Sequence, residues 1–225
     1  MDSLRKTAVV AGTFYLITFV SIPILALYGP VRDRNYILGS GPDTAVFVGG
    51  LLESIVAIAG IGTAVALYPV VKRQHEGVAL GFVSARVLEA ASNGVGVAAL
   101  LAVVTLRRTG TGADGVVTGQ ALVALHDQAF LLGQSLIPAL NAVLLGYLLY
   151  KSRLVPRALP LLGFAGAPLL IVSTTLTMLG LKEMSSAWSA LAALPIALWE
   201  FSLGVWLIVK GFNPSPLTTG TAGVT

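Results

Sequence analysis

GVALGFVSARVLEAASNGVGVAALLAVVTL (residues 77–106) is mostly Ala, Val, Leu and Gly, yet it carries Arg86 and Glu89, with Asn93 one turn further on. A helical run of this length and apolarity can cross a hydrocarbon core of roughly 30 Å. The two charges then lie where a membrane helix normally carries none. What they do there depends on what the rest of the chain brings to the same depth.

The surrounding composition supports the membrane reading. A soluble domain typically carries about 25% charged residues; this chain of 225 residues has 11% charged and 56% hydrophobic, with a mean hydropathy of +0.87. Apolar segments are predicted as helices at 7–28, 44–71, 76–106, 118–151, 158–180 and 187–211. The stretches between them, YGPVRDRNYILGSGPD (28–43), KRQHEG (72–77), RRTGTGADG (107–115), YKSRLVPR (150–157) and LKEMSS (181–186), read as loops. The fold class is all-α: a polytopic membrane protein, a bundle of six transmembrane helices over 1–213. The remainder, 214–225, reads as a disordered C-terminal tail. Segments 44–71, 76–106 and 118–151 exceed one span, so they tilt or project beyond the bilayer.

Several function classes drop out. With no cysteine, the chain has no disulfides and no thiolate chemistry. The net charge of +4 is not read as nucleic-acid binding, because the basic residues sit in short loops, where they set topology. With the N-terminus inside, eight basic residues (Arg5, Lys6, Lys72, Arg73, Lys151, Arg153, Arg157 and Lys210) are cytoplasmic. Five (Arg32, Arg34, Arg107, Arg108 and Lys182) lie opposite. The bias places a multi-pass protein in the cell membrane with both termini cytoplasmic. The first segment reads as a retained helix, since no A-x-A site follows it.

Small residues at 49–50, 60, 62, 64, 66, 94 and 96 suit close helix packing. Pro23, Pro69, Pro138, Pro168 and Pro195 fall within or at the ends of spans. Gly166 with Pro168 is expected to make the main mid-span break.

At a rise of 1.5 Å per residue, Arg86 and Glu89 counted from Glu76, Asn141 counted back from Lys151 and Glu200 counted back from Lys210 all fall roughly 15–20 Å from the cytoplasmic boundary. Glu53, counted from Asp43 on the other side, reaches about 15 Å. Arg86, Glu89 and Asn93 share one helix face; Asp127, Gln134 and Asn141 recur every seven residues as another. The expected polar core is therefore Glu53, Arg86, Glu89, Asn93, Gln134, Asn141 and Glu200, with Arg86 paired to Glu53, Glu89 or Glu200. Three carboxylates facing one guanidinium require either a protonated Glu or a bound cation. Glu200 is the expected neutral acid, donating to Asn141. His126 is expected at the outer boundary as an interfacial residue, and His75 in a cytoplasmic turn, so they share no metal site. No nucleophile, phosphate-loop, zinc or dinucleotide motif occurs, and neither cofactor nor metal is expected.

LLESIVAIAGIGTAVALYPVVKRQ (51–74), ARVLEA (85–90), NAVLLGYLLYKSRLVPRALPLLGFAGAPLL (141–170) and PIALWEFSLGVWLIVKGFN (195–213) together resemble the bacterial domain-of-unknown-function 4386 family. The resemblance implies a six-helix integral membrane protein and extends to Glu53, Arg86, Glu89, Asn141 and Glu200. It implies no substrate and no catalytic residue. The leading expectation is a midplane site that binds or transports a small ligand or protons. The alternatives are an intramembrane enzyme acting on a lipid or isoprenoid, and a structural accessory subunit. Membrane lipids are the expected surroundings, and oligomeric state is left open.

Overall fold

The computed structural model describes residues 3–183 and 186–214. It is all-helical, with no strand among the described residues. The long helices are α3 (Thr44–Val71), α4 (Glu76–Arg108), α5 (Asp114–Leu131), α6 (Ile137–Ser152), α7 (Ala158–Met178) and α8 (Ala187–Val209), preceded by α1 (Ser3–Ile17) and a short α2 (Ile24–Leu27). A single π turn, Leu132–Leu136, joins α5 to α6, so Asp114–Ser152 runs as one rod. Five segments are long and apolar enough to cross a membrane: α3, α4, the α5–α6 rod, α7 and α8.

The first segment departs from the expected continuous helix at 7–28. It starts at Ser3 and breaks after Ile17 into a 3-10 turn, Thr18–Ser21. Pro23 follows; it has no N–H to return to the Phe19 carbonyl. The Thr18 hydroxyl bonds the Tyr15 carbonyl at 2.6 Å, closing the end of α1. The 15 residues of α1 extend only about 22 Å, short of a hydrocarbon core.

Proline acts elsewhere than expected. α7 runs unbroken through Gly166 and Pro168. Gly166 serves close packing instead, since a Cβ there would lie 3.0 Å from Ile196. The interruption falls before Pro138, at the π turn.

Neighbours in sequence pack as neighbours in space, and α8 returns to α1, closing the bundle. The α1–α8 crossing is close: a Cβ at Gly12 would lie 2.6 Å from the Gly204 carbonyl oxygen. Arg5 pins the same crossing by donating to the carbonyls of Leu207 at 3.1 Å and Ile208 at 2.5 Å. At this near end, Asn213 also donates its N–H to the Leu154 carbonyl at 2.8 Å. Of the tail expected at 214–225, residues 215–225 lie outside the described residues, as do Met184 and Ser185 of the 181–186 loop.

At the far end, Asp43 accepts from Tyr36 at 2.7 Å, from Arg107 at 2.8 Å and from Arg108 at 2.8 Å. Partial burial pushes the Asp43 carboxyl up, but the hydrogen bonds and the two guanidinium charges outweigh it and hold the group below its ordinary value.

Polarity is distributed inside out. On α4, Arg86, Glu89 and Asn93 are buried, whereas Val87, Leu88 and Val95 are exposed. On α3, Leu51, Ile58 and Val65 form an exposed stripe. Water would favour the reverse arrangement; a hydrocarbon solvent favours this one.

Candidate functional site

Arg86 sits a third of the way along α4 with its side chain 3% exposed. Its Nη1 donates to both oxygens of Glu89, one turn on, at 3.1 and 3.0 Å. Its Nη2 crosses to Glu200 Oε1 on α8 at 2.6 Å and reaches the Tyr15 hydroxyl of α1 at 3.4 Å. From α6, the Asn141 amide donates to Glu89 Oε2 at 2.6 Å. The guanidinium also lies over the rings of Tyr15 and Phe82, at 5.5 and 5.8 Å. Four helices thus meet in one charged cluster.

A cavity of about 220 Å³ opens beside this cluster, lined by Thr18, Phe19, Arg86, Glu89, Gln134 and Glu200 among others. The broken first segment supplies Thr18 and Phe19, so the 3-10 turn forms part of the cavity wall. Arg86 Nε, Gln134 Nε2 and Asn141 Oδ1 are buried without a hydrogen-bond partner. Asn141 bonds Glu89 rather than Glu200, which corrects the expected Glu200–Asn141 bond.

Glu53 does not join this cluster. It is 0% exposed and accepts from the Tyr28 hydroxyl at 2.8 Å. Its Oε2 also lies 3.5 Å from His126 Nε2. The reason is depth. A Cβ at Gly60 would lie 3.9 Å from both Arg86 and Glu89, so Gly60 of α3 stands at their level. Glu53 is two turns earlier, about 10 Å further toward the far end. Counting each residue from its own boundary assumed a 30 Å slab, but α3 has 28 residues and α4 has 33. Helices of about 42 and 50 Å leave a gap between the two levels.

Asn93 stands near the Glu53 level. It is buried, with neither amide atom partnered, and lies so close to Gly133 of the π turn that a Cβ there would come within 2.4 Å of Oδ1. Gln134 reaches the inner cavity. Asp127 leaves the expected stripe, pairing with Arg32 at 2.7 Å while 30% exposed.

Sequence reasoning missed His126. It is not interfacial but 0% exposed, packed against Tyr28, Phe130 and Gly96. The signal was available: α5 begins at Asp114 rather than 118, with no Asp, Glu, Lys or Arg between Asp114 and Asp127. Tyr15 and Tyr28 were missed because nothing in a lone apolar segment says which phenol meets a carboxylate. Among the described residues, no group of three or more His, Asp or Glu is placed to hold a metal ion.

The sequence matches the family described as Domain of unknown function (DUF4386) over residues 10–211. The chain belongs to this family. The matched region contains α3 to α8, every residue of the Arg86 cluster, and Glu53 with its partners. No curated protein and no solved structure matches the chain.

Proposed function

We propose that this member of the DUF4386 family spans the cell membrane six times, with both termini cytoplasmic, and takes up a small cationic ligand or a proton at the Arg86 cavity. The sixth span is the broken first segment. It runs from the near end, where Arg5 holds α8, to the level of Gly49, against which Tyr28 packs. An even number of crossings returns both termini to one side, and the eight-to-five distribution of basic residues assigns that side to the cytoplasm.

The observation that carries the ligand reading is a charge count within a cavity. One guanidinium faces two carboxylates, Glu89 and Glu200, which leaves one formal negative charge over in a low-dielectric setting. A proton or a monovalent cation supplies the missing charge. A network that only fixed helix register would balance itself without one.

Infrared difference spectra of the full chain in lipid nanodiscs test this, recorded with sodium, with tetramethylammonium and without either. A protonated-carboxyl band should be present without cation, be absent in Glu200→Gln or Glu89→Gln, and weaken as one of the cations is added. Both carboxylates ionised at neutral pH, with neither cation bound, would leave the proposal without support and favour a structural role.

A further inference from the structure

His126 turns both ring nitrogens toward carboxylates. Nδ1 lies 3.1 Å from Asp127 Oδ1, and Nε2 lies 3.5 Å from Glu53 Oε2. A neutral imidazole has one N–H and one bare lone pair. Whichever tautomer is drawn, the bare nitrogen would face a carboxylate oxygen, lone pair against lone pair. The imidazolium, with an N–H on each nitrogen, hydrogen-bonds Asp127 through Nδ1 and sets its charge against Glu53, which Nε2 faces without a hydrogen bond.

Charge gives the same count. Glu53 and Asp127 are acids and Arg32 is a base, so the group sums to −1 with a neutral imidazole and to zero with an imidazolium. Among the described residues, Tyr28 is the remaining ionisable group in contact with the site. The short α2 helix is followed by Tyr28, whose hydroxyl already donates to Glu53. α4 presents Gly96, where a Cβ would lie 3.2 Å from the imidazole. Phe130 flanks the ring at 5.9 Å between centroids. Glu53 Oε1 and His126 Nε2 are both buried without a hydrogen-bond partner.

The far side of the group is exposed. Arg32 and Asp127 are 28% and 30% exposed. Arg32 also lines a second cavity of about 300 Å³, together with Asp33, Arg34, Tyr36 and Gln120. We infer that Glu53, His126 and Asp127 form a second proton-binding site, separate from the Arg86 cavity, which holds its proton on His126 and exchanges it through the partly exposed Asp127. In release, the Nδ1–H bond breaks and an O–H bond forms on Asp127 Oδ1; a water molecule at the exposed face of Asp127 then takes that proton. The imidazole is left with its Nε2–H toward Glu53. Uptake runs in reverse.

The chain has two histidines, so ¹⁵N-histidine NMR of the full chain in nanodiscs can isolate this one. A His75→Gln variant, changing an exposed residue, assigns the remaining signal to His126. At pH 7 both ring nitrogens should be protonated. Glu53→Gln should lower the pH at which half of the imidazolium signal is lost by about one unit or more, because a facing opposite charge is worth about that much. Glu200→Gln should leave it unchanged, which separates this site from the one proposed above. After a jump to high pH, Asp127→Asn should slow loss of the imidazolium signal. A neutral His126 at pH 7 in the otherwise unaltered chain overturns the site outright, whether or not any other variant folds. An unchanged rate in Asp127→Asn overturns the route.

Discussion

Glu89→Gln should destabilise the protein more than Glu200→Gln. Both oxygens of Glu89 are engaged: Oε1 by Arg86, and Oε2 by Arg86 and Asn141. Gln can present only one carbonyl oxygen, so its amide must face an Arg86 or Asn141 N–H. The change therefore removes one of the two carboxylate partners of Arg86, leaving Glu200, and with it at least one charge-assisted hydrogen bond, each worth about 1.5–3 kcal/mol. Because Glu200 still neutralises Arg86, the expected loss is that of one or two such bonds, about 2–4 kcal/mol. Glu200 uses Oε1 alone, so Gln there can keep its carbonyl on Arg86, which retains Glu89. Its side chain is also the more exposed of the two, 17% against 8%. A loss of about 1–2 kcal/mol follows. Reversible unfolding in mixed micelles measures both, and a double-mutant cycle with Arg86→Met should couple Glu89 more strongly than Glu200. If Glu200→Gln were as costly as Glu89→Gln, the ranking by engaged oxygens would be wrong.

Three further outcomes are expected. Gly12→Ala should destabilise by about 1–3 kcal/mol by forcing α1 off α8, whereas Gly94→Ala, with nothing within 4 Å of its Cβ, should be neutral or slightly stabilising; equal melting temperatures for the two would refute the close crossing. Asp43 has a depressed folded value, so its stabilisation is complete above the unfolded carboxylate value and fades as pH falls below about 4; Asp43→Asn should flatten that part of the stability profile. Reporters fused after Arg108 and Lys182 should read as external and those after Arg73 and Arg157 as cytoplasmic, and a cytoplasmic signal after Arg108 would reject the six-span orientation.

The helices were legible because their solvent is simple. Apolar runs bounded by charge, Gly and Pro gave α3 to its observed ends, and the face carrying Arg86, Glu89 and Asn93 is the buried one. The Arg86–Glu89 pair followed from a three-residue spacing on one helix. Glu200 followed from depth, because α4 and α8 could both be measured from the same boundary. Glu53 was measured from the other one, so errors in helix length entered directly and merged two levels into one. The break after Ile17 was less legible still. Pro23 signalled a kink, but where the helix ends depends on Thr18 closing its last turn and on α3 and α8 holding what precedes it.

The rod Asp114–Ser152 shows most plainly what a periodic pattern omits. In a straight helix each residue advances about 100°, so Asp127 and Asn141, fourteen positions apart, would differ by only about 40°, and the seven-residue stripe would share one face. A π turn takes one extra residue and sets everything beyond it back by about one residue's rotation. Asp127 then falls about 140° away from Asn141, while His126 comes within about 40° of it. Burial follows the shifted count: His126 and Asn141 are inside, and Asp127 is partly exposed beside Arg32. Pro138 explains why the extra residue sits there. Its missing N–H leaves the Gln134 carbonyl without a helical partner, and the wider turn at Leu132–Leu136 absorbs the defect. The same turn brings Gly133 against Asn93. One proline thus directs Asn141 to Glu89 and His126 to Glu53, and the two charged clusters owe their separate membership to it.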